Sequence, residues 1–134
     1  MEPLAEKLIL VTGLTGATLD RFLEAAYSAA VSAGVEPCRA KFEDELRSLF
    51  GWEDIERIAY QLYTGSRGEV LSRFLSAVES IKSRCRGAEA LVVAAHLSYF
   101  TSNTIVLNPA INEILGLGMR ARIIYMLLRT TMTL

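Results

Sequence analysis

"LILVTGLTGATLDRF", residues 8–22, is the stretch from which the rest of the chain is read. Leu8 to Val11 are continuously apolar, and Gly13 closes the run, which predicts a short buried strand over 8–12. The segment Thr12-Gly13-Leu14-Thr15-Gly16-Ala17-Thr18 is a turn with glycine at two places. From about Thr18 to Ala33, Leu19, Phe22, Leu23, Ala26, Ala30 and Val31 recur at helical spacing. Thr18 is the expected N-cap, and Asp20 and Glu24 sit early, where the helix dipole favours acids. Gly34 is the expected stop. The stretch therefore reads as strand, glycine turn, helix.

Working outward, residues 35–42 predict a second, less apolar strand that leads into the acidic helix start Glu43-Asp44-Glu45. Further helices are expected over about 53–63 and 69–86, with residues 64–68 as a loop. Residues 88–95, "AEALVVAA", form a nearly continuous apolar run of the kind buried on both faces. His96-Leu97-Ser98-Tyr99 follows at its carboxyl end. Pro109 suits the first turn of a short helix, and residues 122–128 predict a third buried strand. Apolar strands separated by helices indicate an α/β fold, a three-layer parallel sheet with helices on both faces. Nothing resembling a linker or repeat divides residues 1–134, so a single domain is expected.

A net charge of −1 offers no electrostatic footprint for nucleic acid or an anionic membrane. No run of about 18 apolar residues suggests a transmembrane helix, and the start MEPLAEK lacks the pattern of a secretory signal. These features lead to an expectation of a cytoplasmic protein. Cys38 and Cys85 lie far apart and are expected as two free thiols, with a disulfide in view only for a hyperthermophile source. A single histidine and no Cys/His cluster argue against structural zinc, and no metal site is expected.

The order of elements resembles the P-loop NTPases, and within them the small nucleoside and adenylate kinases. Residues 8–23, "LILVTGLTGATLDRFL", align without gaps to strand, TG-x-x-G-x-G-K-[ST], helix. "ALVVAAHLSYF" looks like the third strand of that family and "RARIIYMLL" like the next. The resemblance implies a phosphate site on Gly13, Leu14, Thr15, Gly16, Ala17 and Thr18. Asp20, His96 and Ser98 stand around it, and ATP or another nucleotide with Mg2+ is the implied ligand. Thr18 stands where the family has its third glycine, Leu19 where it has lysine, and Asp20 where it has the magnesium-holding hydroxyl. The Walker A loop is thus degenerate, and the chain also stops before the family's usual lid and final strand.

Backbone N–H groups and a helix N-terminus bind phosphate oxygens without help, while lysine adds a point charge. Gly13 and Gly16 retain the backbone part, Leu19 contributes no charge, and Asp20 repels an anion. The expectation is nucleotide or phosphate binding with weak or no phosphotransfer, and no catalytic residue is assigned. The alternative is a non-enzymatic Rossmann-like sensor or interaction domain. His96 has its own alternative, an imidazole bonded to a backbone carbonyl. Lys41 is a cation that approaches the loop only if the sheet order permits. Because the strand near 122–128 would be outermost and is apolar, a homodimer through that edge is also expected.

Overall fold

The apolar run at residues 8–11 lies inside a nine-residue strand, β1 (Ala5–Gly13). In the computed structural model, which describes residues 4–13, 19–100 and 105–126, β1 is followed by α1 (Asp20–Ser32), β2 (Pro37–Lys41) and α2 (Phe42–Phe50). Two more helices, α3 (Ile55–Thr64) and α4 (Arg67–Arg84), precede β3 (Ala90–Ala94). The chain continues through β4 (Ser98–Phe100), β5 (Ile105–Leu107), α5 (Ile111–Leu115) and β6 (Gly118–Met126). Four strands form one sheet in the order β2-β3-β1-β6, with every neighbouring pair parallel. β3 thus lies beside β1, as the reading of residues 88–95 as a central strand requires.

Alternation along the strands sorts the core into two clusters. Leu8 and Leu10 of β1 and Leu91 and Val93 of β3 face Phe42, Leu46, Phe74 and Ile81 of α2 and α4. Ile9 and Val11 with Val92 and Ala94 face Leu19, Leu23 and Ala26 on the other side. Helices therefore cover both faces, which is why β3 is buried along its whole length. Gly34 and Gly51 follow α1 and α2 with φ of 80° and 69°, a conformation that suits glycine and stops each helix.

Four expectations need correction. Leu19, not Thr18, is the residue at the α1 N-cap position; it makes no side-chain cap bond, and Thr18 lies outside the described residues. The strand over 122–128, placed outermost as expected, is not buried as expected: it belongs to the longer β6, where Met119 and Ile123 are 71% and 56% exposed, and residues 127 and 128 lie outside the described residues. Having a neighbour on one side only, it lacks the cover that β3 receives. Cys38 and Cys85 are not free thiols but a disulfide, Cα to Cα 5.6 Å, joining β2 to the end of α4. Finally, residues 98–107 include an unexpected antiparallel pair, β4 with β5. Each of these strands has three residues, too short for a periodic signal.

Candidate functional site at the carboxyl ends of the strands

Because the sheet is parallel, Val11 of β1, Ala94 of β3 and Lys41 of β2 lie level with one another near one end. The chain leaves β1 at Gly13, and the Leu97 N–H donates to the Gly13 carbonyl at 2.8 Å. The Ala95 N–H donates to the Val11 carbonyl at 3.0 Å. Gly13 and His96 are therefore side by side. From β1 the chain crosses to β2 on one side of the sheet, while β6 is added on the other. The gap between β1 and β3 is where the order reverses, the position at which open α/β sheets bind ligands.

Leu19 is 5% exposed and packs with Val11, Leu23, Val92 and Ala94. The side chain at the position where the P-loop pattern has lysine thus belongs to the core. Asp20 opens α1 and faces Lys41, whose Nζ lies 3.4 Å from Asp20 Oδ2. The sheet order does bring a lysine to the α1 N-terminus, although from β2. Both partners are substantially exposed, so the pair adds little stability. Leu14, Thr15, Gly16, Ala17 and Thr18 lie outside the described residues. Ser98 is brought close in sequence but is buried at the start of β4, opposite Leu107.

The most ordered chemistry gathers around Glu43, which sequence reasoning treated as part of a helix start. α2 follows β2 without a loop, so Glu43 falls in its first turn, beside the end of β3. Its two carboxylate oxygens each accept from the His96 backbone N–H at 3.3 Å. Oε1 also lies 3.1 Å from His96 Nδ1, and Oε2 accepts from the Tyr99 hydroxyl at 2.7 Å. The side chains of Glu43 and His96 are 13% and 12% exposed. A carboxylate this enclosed needs its donors, because a buried charge is costly unless paired and hydrogen-bonded. Nδ1 facing a carboxylate carries the proton, leaving Nε2 as the other functional atom of the ring.

Tyr99 and Asn108 support this pair. Burial first, and then the negative charge of Glu43 and the bond to it, push the Tyr99 phenol well above its ordinary range, so it remains a donor. Asn108 Nδ2 donates to the Tyr99 oxygen at 3.2 Å and to the His96 carbonyl at 3.0 Å. Its Oδ1 accepts from the Ala110 N–H at 2.9 Å, a turn that leads into α5. Asn108, rather than Pro109, therefore organises that helix start. Phe74 of α4 packs edge-on to the Tyr99 ring, centroids 6.3 Å apart, and beside Phe42 at 5.4 Å.

One buried polar atom stands out near the same strand ends. The Thr12 hydroxyl has no partner among the described residues, and Thr12 is 3% exposed. Leaving such a group unpaired costs about 1–3 kcal/mol. By alternation it shares the sheet face of Leu8 and Leu10, the face covered by α2.

Among the described residues no group of three or more His, Cys, Asp or Glu side chains is placed to hold a metal ion, and Asp20 is occupied by Lys41. Two further cations are engaged elsewhere: Arg73 stacks over Phe50 and Trp52, and Lys82 pairs with Glu79. Among the described residues, no helix is long and apolar enough to cross a membrane. No protein-family model matches this chain, and no curated protein matches it.

Proposed function

We propose that this is a nucleotide- or phosphate-binding protein of P-loop-like type, related to the small nucleotide kinases and with weak or no phosphotransfer activity. The supporting observation is the parallel order β2-β3-β1-β6, in which the end of β1 at Gly13 adjoins His96 at the reversal point. The buried side chain of Leu19 supports the second half of the reading, since it supplies no charge for a transferring phosphoryl group. The proposed ligand contacts are the backbone from Gly13 to Thr18, with Asp20 and His96 beside them. A cytoplasmic setting belongs to the same proposal; with the Cys38–Cys85 bridge, it implies a source of the hyperthermophile kind.

The test is a thermal-shift panel of ATP, GTP, ADP and AMP, each with and without magnesium. A ligand that binds the native state raises the melting temperature by linkage, about 2.7 kcal/mol of stabilisation at a hundredfold excess over Kd. ATP hydrolysis by the same protein is expected at background. Turnover near the roughly 1–100 s⁻¹ of kinases would overturn the assignment of Leu19.

A second reading, a non-enzymatic interaction domain acting as a homo-oligomer, draws support from β6. That edge strand exposes Met119 and Ile123, and open edges invite pairing with another chain.

A further inference from the structure

We infer that the groove beside β5 is a binding site for a short apolar peptide, which adds to the open edge of that strand and sets its terminal charges against Glu113 and Arg67. The groove shares no residue with the nucleotide reading and goes beyond it. Its first basis is the phase of the β4–β5 ladder. The Asn108 N–H donates to the Leu97 carbonyl at 2.8 Å, and in this register Tyr99 and Val106 form the next hydrogen-bonded pair. The backbone N–H and C=O groups of Ile105 and Leu107 therefore point away from β4. Among the described residues β5 has no strand on that side. An edge of this kind pairs with an added strand.

The edge opens onto a cavity of about 690 Å³, within the roughly 300–1,000 Å³ of small-ligand sites. Ile105, Val106 and Leu107 all line it, whereas Ser98 and Tyr99 of β4 do not. Consecutive strand residues point to opposite faces, so a cavity that meets all three lies along the backbone edge. Leu62 of α3 and Val70 and Leu71 of α4 complete an apolar wall.

Two charged side chains line the same cavity, Glu113 of α5 and Arg67 of α4. Among the described residues no ion pair joins them, and the buried Oε2 of Glu113 accepts no hydrogen bond. A buried carboxylate oxygen without a donor is costly, which points to a donor supplied by a ligand. The terminal torsion of a glutamate is broad, so either oxygen turns to meet that donor. An ammonium group is a strong donor to a carboxylate, and a guanidinium is the matching partner for a ligand carboxylate. A peptide with free ends brings both charges on an extended apolar chain. A second copy pairing through its own β5 would bring only Ile-Val-Leu, with no cation for Glu113.

The experiment titrates trileucine with free termini into the full chain, followed by calorimetry and by amide NMR. Wild type is expected to bind, and the amide resonances of Ile105 and Leu107 should move. Acetylating the peptide N-terminus should weaken binding about tenfold in wild type and little in Glu113→Gln. Amidating its C-terminus should weaken binding about tenfold in wild type and little in Arg67→Gln. Methylating both peptide nitrogens keeps the charges but removes the ladder donors, and should also cost about tenfold. The peptide series in wild type stands whether or not either variant folds.

Trileucine that fails to bind wild type, or binds with the Ile105 and Leu107 amides unmoved, overturns the inference. Equal wild-type affinity for any of the three modified peptides does the same. A dimer that holds those two amides and is undisturbed by trileucine assigns the edge to a second copy and overturns it as well. None of these outcomes touches the nucleotide reading, which the thermal-shift panel tests separately.

Discussion

At the scale of single residues, Glu43, His96, Tyr99 and Asn108 behave as one unit, because each uses a polar atom that another requires. Tyr99→Phe keeps the ring that packs on Phe74 but deletes the hydroxyl donor to a carboxylate. A loss of about 1.5–3 kcal/mol in urea unfolding is expected, since bonds to charged groups lie in that range. The same substitution isolates an alkaline effect. The folded-state phenol is raised above its ordinary 10.0, so above about pH 10 the unfolded chain releases this proton while the folded chain retains it. The contribution of Tyr99 is therefore fully present below that pH and declines as pH rises through the folded-state value. Melting temperature should fall more steeply above pH 10 in wild type than in Tyr99→Phe; parallel curves would refute the assignment. Leu19→Lys with Asp20→Ser introduces the P-loop residues at two positions. Greater ATP affinity is expected, together with about 1.5–3 kcal/mol of lost stability, because Leu19 is a buried core residue. No gain in affinity would favour a purely structural turn.

Among the elements, β2 and α4 are the pair whose association the sequence conceals. They are joined by the Cys38–Cys85 bridge across a separation of 47 residues and by no periodic signal. Closing a loop of that length removes entropy from the unfolded chain equivalent to about 4 kcal/mol. Replacing both cysteines with alanine should lower the unfolding free energy by up to that amount. A calorimetric comparison of wild type and the double variant checks it, and identical melting points would show that the bridge is not formed in solution. α3 offers a smaller test. Asp54 at its N-cap accepts from the Arg57 N–H at 2.7 Å, so Asp54→Ala should cost about 1 kcal/mol. α1 has no equivalent side-chain cap, which leaves packing of Leu19, Leu23 and Ala26 as its main support.

For the whole molecule, the sheet is asymmetric. β3 is covered on both faces, whereas β6 closes one edge with side chains such as Met119, Arg120 and Ile123 in solvent. The proposed homodimer uses this edge about a two-fold axis. Light scattering on serial dilution should show a concentration-dependent dimer, and Ile123→Lys should shift it toward monomer by placing charge on the edge. A wild-type protein that stays monomeric at high concentration would remove the idea.

The sequence alone determined the class of fold and most of its elements. Apolar periodicity is a local property: Leu8 to Val11, the face of α1 and the run at Ala90 to Ala94 each carry theirs within a dozen residues. It also pointed to His96 and the glycine turn as neighbours, through the expected strand order. It was silent on Glu43 as a partner of His96, because 53 residues separate them and "FEDEL" reads equally well as a helix start. It misjudged the two cysteines for the same reason. Which charges become buried and which thiols meet depend on how elements stack. Only the tertiary structure decided them, since contacts between distant residues leave no periodic trace in the chain.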